Sequence, residues 1–167
     1  MSASFFVLAV AVAFGFGLPD KTANGSPEPV SQPIPFSHKQ HSSLGLNCVE
    51  CHVGARTADQ AGLPETRKCM FCHATIKTDA PAIQKLAAAQ KSGVPIKWVR
   101  VYHLPDFVFF SHASHYKAKV ECVSCHGPVA QRDVLAQEVP TRMQTCVNCH
   151  KERNASTSCV LCHQLGQ

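Results

Sequence analysis

The sequence predicts a mostly α-helical fold with little regular secondary structure, in which bound prosthetic groups fill much of the interior. Three observations lead to this prediction. Five segments of the 167-residue chain share one pattern of cysteine and histidine, and a block containing one of them is repeated further along. Clusters of Leu and Ile that could form a core are few, so we expect the polypeptide not to fold without its cofactors.

The shared pattern is Cys-x-x-Cys-His, and all ten cysteines belong to it. Segments of this kind attach c-type haem: the two sulfurs form thioethers to the porphyrin, and the adjacent His binds the iron. The sequence therefore predicts five covalently bound haem c groups. The predicted attachment residues are Cys48, Cys51, Cys69, Cys72, Cys122, Cys125, Cys146, Cys149, Cys159 and Cys162, and the predicted proximal ligands are His52, His73, His126, His150 and His163.

Other cysteine chemistries explain the pattern less well. Zinc sites take four ligands in two paired blocks, and five identical triplets leave one block over. A disulfide framework gives no reason for a His after every second Cys. A thioredoxin-like redox motif is normally single and lies in a βαβ pattern, which is absent here.

Five further histidines match the number of second axial ligands that five six-coordinate irons need. Four of them form two His-x-x-His pairs, His38 with His41 and His112 with His115. Residues three apart lie on one face of a helix, so the two rings of a pair cannot occupy opposite sides of one iron. We expect each pair to serve two different haems.

The fifth distal ligand stays open between two residues. His103 is isolated in the segment Val101–Pro105, whereas Met143 stands three residues before Cys146. A thioether ligand would raise the potential of its haem. Met70, inside the second motif, is expected to contribute packing only.

An internal repeat suggests duplication of a two-haem unit. Residues 36–52 and 110–126 both contain Phe-Ser-His-x-x-His, six further residues and Cys-Val-x-Cys-His, at a constant offset of 74 residues. This predicts a pentahaem domain over residues 36–167, made of a two-haem unit (36–73), a connector (74–109) and a three-haem unit (110–163). Phe36 and Phe110 are expected to pack on haem faces.

The connector carries the clearest signals of regular structure. Thr78 and Asp79 can cap a helix with Pro81 in its first turn, and Gly93 ends the Ala-, Gln- and Lys-rich run that follows. Residues 96–102 alternate between apolar and polar side chains, which predicts an extended segment.

The first 18 residues predict a secretory signal or an N-terminal membrane anchor. Residues 2–18 carry no charge and would form a helix of about 26 Å, short of a hydrocarbon core of about 30 Å. Ala11-Val12-Ala13 resembles a cleavage site, but the positive n-region of a signal is missing, so attachment through residues 2–18 is the alternative. Residues 19–35 contain five prolines and predict a tether.

The formal charge of +5 does not indicate a nucleic-acid partner. No basic run interleaved with aromatic residues accompanies it, and haem propionates would offset the positive charge. Because haem c is attached outside the cytoplasm, we expect a periplasmic or outward-facing location.

These motifs resemble class III multihaem cytochromes c, and the likeness covers about residues 33–163. Pro35–His38, the connector segment 75–86 and the segments 98–101 and 104–106 are similar to pentahaem members, such as the cytochrome subunit of alternative complex III. The resemblance implies a class III-like fold with haems forming the core, and electron relay on the periplasmic side. It also implies a membrane-bound quinol-oxidising complex or periplasmic redox proteins as partners. A Met before the fourth motif also resembles the pattern of the group, which does not always carry a His at position 103.

The sequence thus predicts an electron carrier whose haems have two axial His ligands and no open site. Two alternatives remain. A multihaem oxyanion reductase needs one five-coordinate iron, which arises if neither His103 nor Met143 binds. A subunit of an extracellular haem filament would stack haems across copies of the chain.

Overall fold

A computed structural model describes residues 27–163 of the chain. The predicted signal or anchor (1–18) and the first part of the predicted tether (19–26) lie outside this range. Within it, eight α-helices follow one another: α1 (His38–Ser43), α2 (Cys48–Cys51), α3 (Thr66–His73), α4 (Pro81–Ser92), α5 (His112–Lys117), α6 (Val123–His126), α7 (Met143–Glu152) and α8 (Cys159–Cys162).

Regular structure is sparse, and the predicted fold class is confirmed. Two 3-10 turns, Val53–Arg56 and Val129–Gln131, follow the first and third motifs. Between residues 27 and 163 there is no β-strand, and the alternating segment 96–102 stays irregular, with an isolated bridge between Val108 and His163 elsewhere. The same range contains no helix with the length and apolar character needed to cross a bilayer.

Helix α4 forms where the sequence predicts it. Pro81 is its first residue, and Gly93 ends it in the left-handed conformation with φ 71°. The N-cap is Ala80, which makes no side-chain cap bond, rather than Thr78 or Asp79. Because a residue that precedes proline is held in an extended conformation, the cap falls directly before Pro81.

The largest apolar cluster lies between α4 and the segment before α1. Ile83 and Leu86 of α4 bury their side chains against Ile34, whose exposed fraction is only 2 %. Met70 packs at the edge of the cluster, in agreement with its predicted packing role. Gln32 adds two hydrogen bonds of 2.9 Å to the backbone of Val99. The described end of the predicted tether is therefore packed onto the folded unit.

The two repeated units dock on each other reciprocally. Helix α1 lies against the 3-10 turn Val129–Gln131, and α5 lies against the turn Val53–Arg56. Lys39 N–H donates to the carbonyl of Arg132 (3.0 Å), and Ala113 N–H donates to the carbonyl of Ala58 (3.0 Å). Both donors and both acceptors are related by the 74-residue offset of the sequence repeat. The duplication therefore extends from sequence to tertiary contacts.

Candidate haem-attachment sites

The five cysteine motifs lie on helices, four of which start or end within the motif, whereas α7 contains the whole fourth motif. Two residues three apart in a helix share a face, so the thiols of each motif point to the same side. At the first motif, Glu50 accepts from the backbone N–H of Asn47 (2.9 Å) and so starts α2 at Cys48. In the part of the chain that the structure describes, all ten thiols are free and at least partly exposed. They are therefore available for covalent attachment.

Four of the five motif histidines are oriented by a backbone carbonyl. In each, Nδ1 donates to a backbone carbonyl oxygen, which leaves Nε2 as the nitrogen available to a metal. The bonds join His52 to Gly62 (2.7 Å), His73 to Ile76 (3.1 Å), His150 to Ser156 (2.6 Å) and His163 to Phe107 (3.3 Å). This fixed Nδ1–H is the usual arrangement of a metal-bound His.

His126 is the exception among the motif histidines. Its Nδ1 has no hydrogen-bond partner within residues 27–163, and its ring packs edge-on against Tyr102, with ring centres 4.7 Å apart. The Tyr102 hydroxyl donates to the carbonyl of His126 (3.1 Å) and accepts from the N–H groups of Glu138 (3.1 Å) and Val139 (3.4 Å). Tyr102 thereby ties the third motif to the loop that follows it. Sequence reasoning missed this role, because Tyr102 lies outside the repeat.

The His-x-x-His pairs begin α1 and α5, and both helices are capped alike. Ser37 and Ser111 each accept a backbone N–H with the side-chain oxygen. Their carbonyls accept from Nδ1 of His41 and His115, at 2.8 Å in both cases. Sequence alone predicts the helices, and the structure adds the ring orientation.

Phe36 and Phe110 pack against the imidazoles of their own pairs. Phe36 stacks on His41 at 4.4 Å and meets His38 edge-on at 4.8 Å. Phe110 stacks on His115 at 4.5 Å and meets the ring of His112 at 4.8 Å. Each Phe therefore holds two imidazoles in different orientations, a contact that supplements the expected packing on haem faces.

Three of the four His-x-x-His rings lie opposite the ring of a motif His. The ring centres are 6.3 Å apart for His41 and His73, 6.3 Å for His112 and His126, and 6.1 Å for His115 and His150. Two imidazoles bound to one metal through nitrogen–metal bonds of about 2 Å have ring centres roughly 6 Å apart. The spacing therefore leaves room for one metal ion between the rings of each pair.

His38 lies close to the remaining motif His of the first unit, His52. Burial, together with the nearby charges of His52 and His41, lowers the pKa of His38 to about 4. Burial and the charges of His112 and His52 also lower the pKa of His126. His52 is therefore close to two histidines of different sites, and the first and third motifs adjoin.

The two candidates for the fifth distal ligand differ in their surroundings. His103 is exposed, whereas the other nine histidines are partly buried. Its Nε2, the nitrogen that a haem iron would need, lies 2.9 Å from the carbonyl oxygen of Arg100. Met143 is the first residue of α7 and is 68 % exposed. Its exposure and the contact of its Nε2 set His103 apart from the other nine histidines.

Thiols of different motifs lie close enough for their charges to interact. Burial raises the pKa values of four of them, and a thiol of another motif adds to the effect. The neighbours are Cys69 with Cys51, Cys122 with Cys48, Cys125 with Cys149 and Cys146, and Cys146 with Cys162. The five attachment sites thus form a continuous series in space, in the order second, first, third, fourth, fifth.

The packing of the polypeptide also fits large apolar cofactors. Among residues 27–163 only Ile34, Ile83, Leu86 and Ala113 are buried apolar side chains. Several large apolar residues beside the motifs are instead exposed, including Phe71 at 86 %, Phe107 at 68 % and Val160 at 64 %. A domain of this length normally buries far more apolar surface, so the side chains around the motifs suit porphyrin contact.

Two protein families and one curated protein match this sequence. The class III cytochrome C family matches residues 17–103, and the family of cytochrome c7 and related cytochrome c matches residues 108–164. The chain is also 32 % identical to the multiheme cytochrome c subunit of menaquinone reductase from Nitratidesulfovibrio vulgaris (strain Hildenborough). That alignment spans 192 residues and covers 98 % of this chain and 90 % of the relative.

Proposed function

Because the chain belongs to the class III cytochromes c, electron carriers with covalently bound haem c, we propose that it relays electrons along five haems for a membrane complex that reacts with menaquinone. The family membership makes it an electron carrier rather than an enzyme in its own right. The number of haems, their ligands, their order and the partner are parts of the proposal.

The observation that carries the proposal is the pairing of imidazoles. Three His-x-x-His rings lie 6.1–6.3 Å from a motif ring, and His38 adjoins His52. We assign His38 and His52 to the first haem, His41 and His73 to the second, His112 and His126 to the third, and His115 and His150 to the fourth. Each His-x-x-His pair then ties two haems together, as its helical spacing requires.

For the fifth haem we assign His163 and Met143. The Nε2 of His103 lies 2.9 Å from the carbonyl oxygen of Arg100, which disfavours it as a ligand. Met143 shares a face of α7 with Cys146, and Cys146 adjoins Cys162 of the fifth motif. We therefore propose that the Met143 thioether reaches the iron of the fifth haem.

Haem iron with two axial protein ligands exchanges single electrons with little change in geometry. The chain supplies the rest: thiols hold each group in place, backbone carbonyls fix the ligand rings, and the reciprocal docking of the units brings the first and third sites together. The order second, first, third, fourth, fifth gives a series of sites with ends at the second and fifth motifs.

The partner is proposed from the relative. Since that protein is a subunit of a menaquinone reductase, we propose that this chain passes electrons toward menaquinone. This direction is opposite to the quinol oxidation that the sequence resemblance implies. Covalent haem attachment takes place outside the cytoplasm, so the proposed location is the periplasmic side of the membrane.

Haem number and ligands are tested on the purified full-length holoprotein. The mass of the denatured chain is expected to exceed that of the polypeptide by five haems. In His115→Ala we expect one haem to become high-spin in the EPR spectrum, with all five still attached. His103→Ala is the matched control and should keep every haem low-spin; a high-spin signal in that variant would overturn the assignment of the fifth ligand.

The Met143 assignment has its own measurement. A His/Met haem shows a weak near-infrared charge-transfer band that two His ligands do not give. We expect this band in the wild type and its loss in Met143→Leu, which keeps the size of the side chain. Absence of the band in the wild type would return the fifth site to His103 or to an open iron.

The partner is tested by isolating the tagged chain from detergent-solubilised membranes of its own cells. We expect it to co-purify with integral membrane subunits and its reduced haems to be reoxidised by a soluble menaquinone analogue. A chain that emerges alone, with haems that the analogue does not oxidise, would contradict the proposed complex and leave the electron-carrier assignment intact.

A further inference from the structure

The four imidazole pairs differ in the bonding of their Nδ1 atoms. At the second and fourth sites both rings donate to backbone carbonyls; these are His41 with His73 and His115 with His150. At the first and third sites only one ring does so, namely His52 and His112, whose acceptors are Gly62 and Asp59 at 2.7 Å each.

The unbonded rings at these two sites are His38 and His126. The Nδ1 of His38 is buried and has no partner. The Nδ1 of His126, whose ring is partly buried, donates to no carbonyl among the described residues. Because His38 and His126 belong to different units and different positions of the motif, the sequence repeat does not produce this pattern. It arises from which carbonyls the tertiary fold brings near each ring.

A hydrogen bond from Nδ1 changes what Nε2 offers to a metal. When Nδ1–H donates to a carbonyl, the imidazole becomes more basic and a stronger electron donor at Nε2. A stronger donor stabilises ferric over ferrous iron and lowers the reduction potential. The four sites share the same ligand types, so this hydrogen bond is a systematic difference between them. Without this bond the potential of a haem is higher. Burial around His38 raises the potential of its haem further, since a low-dielectric environment disfavours the ferric charge.

Resting on the proposed ligands, we propose that the first and third haems have the highest reduction potentials of the four bis-His sites. These two sites adjoin, with Cys122 beside Cys48 and His126 beside His52. Among the four bis-His haems, the first two electrons therefore reside on neighbouring haems in the interior of the series. The second and fourth sites, of lower potential, flank them.

The test is a potentiometric titration of the wild-type holoprotein followed by EPR. The low-spin signals are first assigned with His38→Ala, His41→Ala, His112→Ala and His115→Ala, each of which is expected to remove one signal. His38 and His41 lie on α1, and His112 and His115 lie on α5. Each variant therefore has a matched control on its own helix. Where an Ala variant does not accumulate, His→Met at the same position serves, because it shifts the same signal without opening the site.

The expected result is that, among the four bis-His signals, those assigned to His38 and His112 disappear first as the potential is lowered. If the signal assigned to His41 or His115 disappears before either of them, the inference is overturned. Failure of the proposed function would give a different result. If the ligand variants remove no low-spin signal at all, the ligand assignments are wrong, whatever the order of reduction.

Discussion

The two repeated units have nearly the same local geometry but different surroundings. The Phe–His contacts agree to within 0.1 Å between the units: 4.8 and 4.4 Å in the first, 4.8 and 4.5 Å in the second. In contrast, His112 donates to the Asp59 carbonyl while the equivalent His38 has no acceptor. Local sequence therefore fixes how each pair is built, and the facing unit decides how each ring is bonded.

The facing residues explain the difference. Asp59 and Asp133 are equivalent under the repeat, but Asp59 contributes its carbonyl to α5, whereas Asp133 contributes its carboxylate to α1. Ser37 donates its hydroxyl to that carboxylate at 2.6 Å, and Ser111 lacks a comparable bond among the described contacts. The duplicated interface thus keeps one backbone bond on each side and differs in how the equivalent aspartates accept, Asp59 through its carbonyl and Asp133 through its carboxylate.

The largest effect is expected from removing an attachment site inside the series rather than at its end. The double variant Cys122→Ala/Cys125→Ala removes a haem that adjoins the first and fourth sites, and with it the packing of both units. We expect this variant not to accumulate as a folded protein, whereas Cys159→Ala/Cys162→Ala should fold with four haems. Denatured mass and Soret circular dichroism measure both; equal yields of the two would contradict the interior position of the third site.

A smaller effect is expected from the two equivalent phenylalanines. Phe36→Ala and Phe110→Ala each remove a ring that stacks on one imidazole and meets another, at a cost of roughly 2–3 kcal/mol. Phe36 also contacts Trp98, with ring centres 6.1 Å apart, so its loss should cost more. Thermal unfolding of the two holoproteins under one buffer condition gives the comparison. A larger loss for Phe110→Ala would show that the Trp98 contact contributes nothing.

The capping serines separate local from tertiary contributions. Ser111→Ala removes an N-cap bond and should lower the free energy of unfolding by about 1 kcal/mol. Ser37→Ala removes the same cap and also the bond to Asp133, so it should cost about 1 kcal/mol more. In an Asp133→Ala background this extra cost should vanish. Chemical denaturation of the wild type, Ser37→Ala, Asp133→Ala and the double variant completes the cycle. If Ser37→Ala costs the same free energy of unfolding with and without Asp133, Asp133 is excluded as the source of the extra cost.

The smallest effect concerns an ion pair that exists in one unit alone. Arg132 bonds Glu138 at 2.6 and 3.0 Å, whereas its repeat equivalent is Ala58. The hydrogen bond from Arg132 lowers the pKa of Glu138 below its ordinary value. The stabilisation is therefore complete above the pKa of an unfolded Glu and is lost as the pH falls through the lower, folded value.

Glu138→Gln tests this pH dependence. The wild type should lose melting temperature on acidification over that range, and the variant should lose less, with little difference between them near neutral pH. Ala58→Arg is not expected to create the same dependence, because no partner is placed for it in the first unit. Identical acid profiles for wild type and Glu138→Gln would exclude this ion pair as a contributor.

Several features could be predicted from the chain alone. Pro81 as a start signal, the Ala-rich run and Gly93 as a stop signal predict α4. The spacing of the paired histidines predicts that each pair serves two sites. The alternating segment 96–102 forms no β-strand among the described residues, and Gln32 rather than a neighbouring strand hydrogen-bonds the backbone of Val99. The proposed preference for Met143 over His103 could not be reached from spacing, because it rests on a contact between His103 and the backbone of Arg100.

What the sequence by itself determined is the chemistry: the repeated Cys-x-x-Cys-His pattern indicates covalent haem c, and the two His-x-x-His pairs predict where axial imidazoles come from. What only the tertiary structure decided is the spatial order of the sites and the bonding of each Nδ1. The physical reason is that attachment depends on residues a few positions apart, whereas a carbonyl that reaches an imidazole, as Asp59 reaches His112, comes from a distant part of the chain.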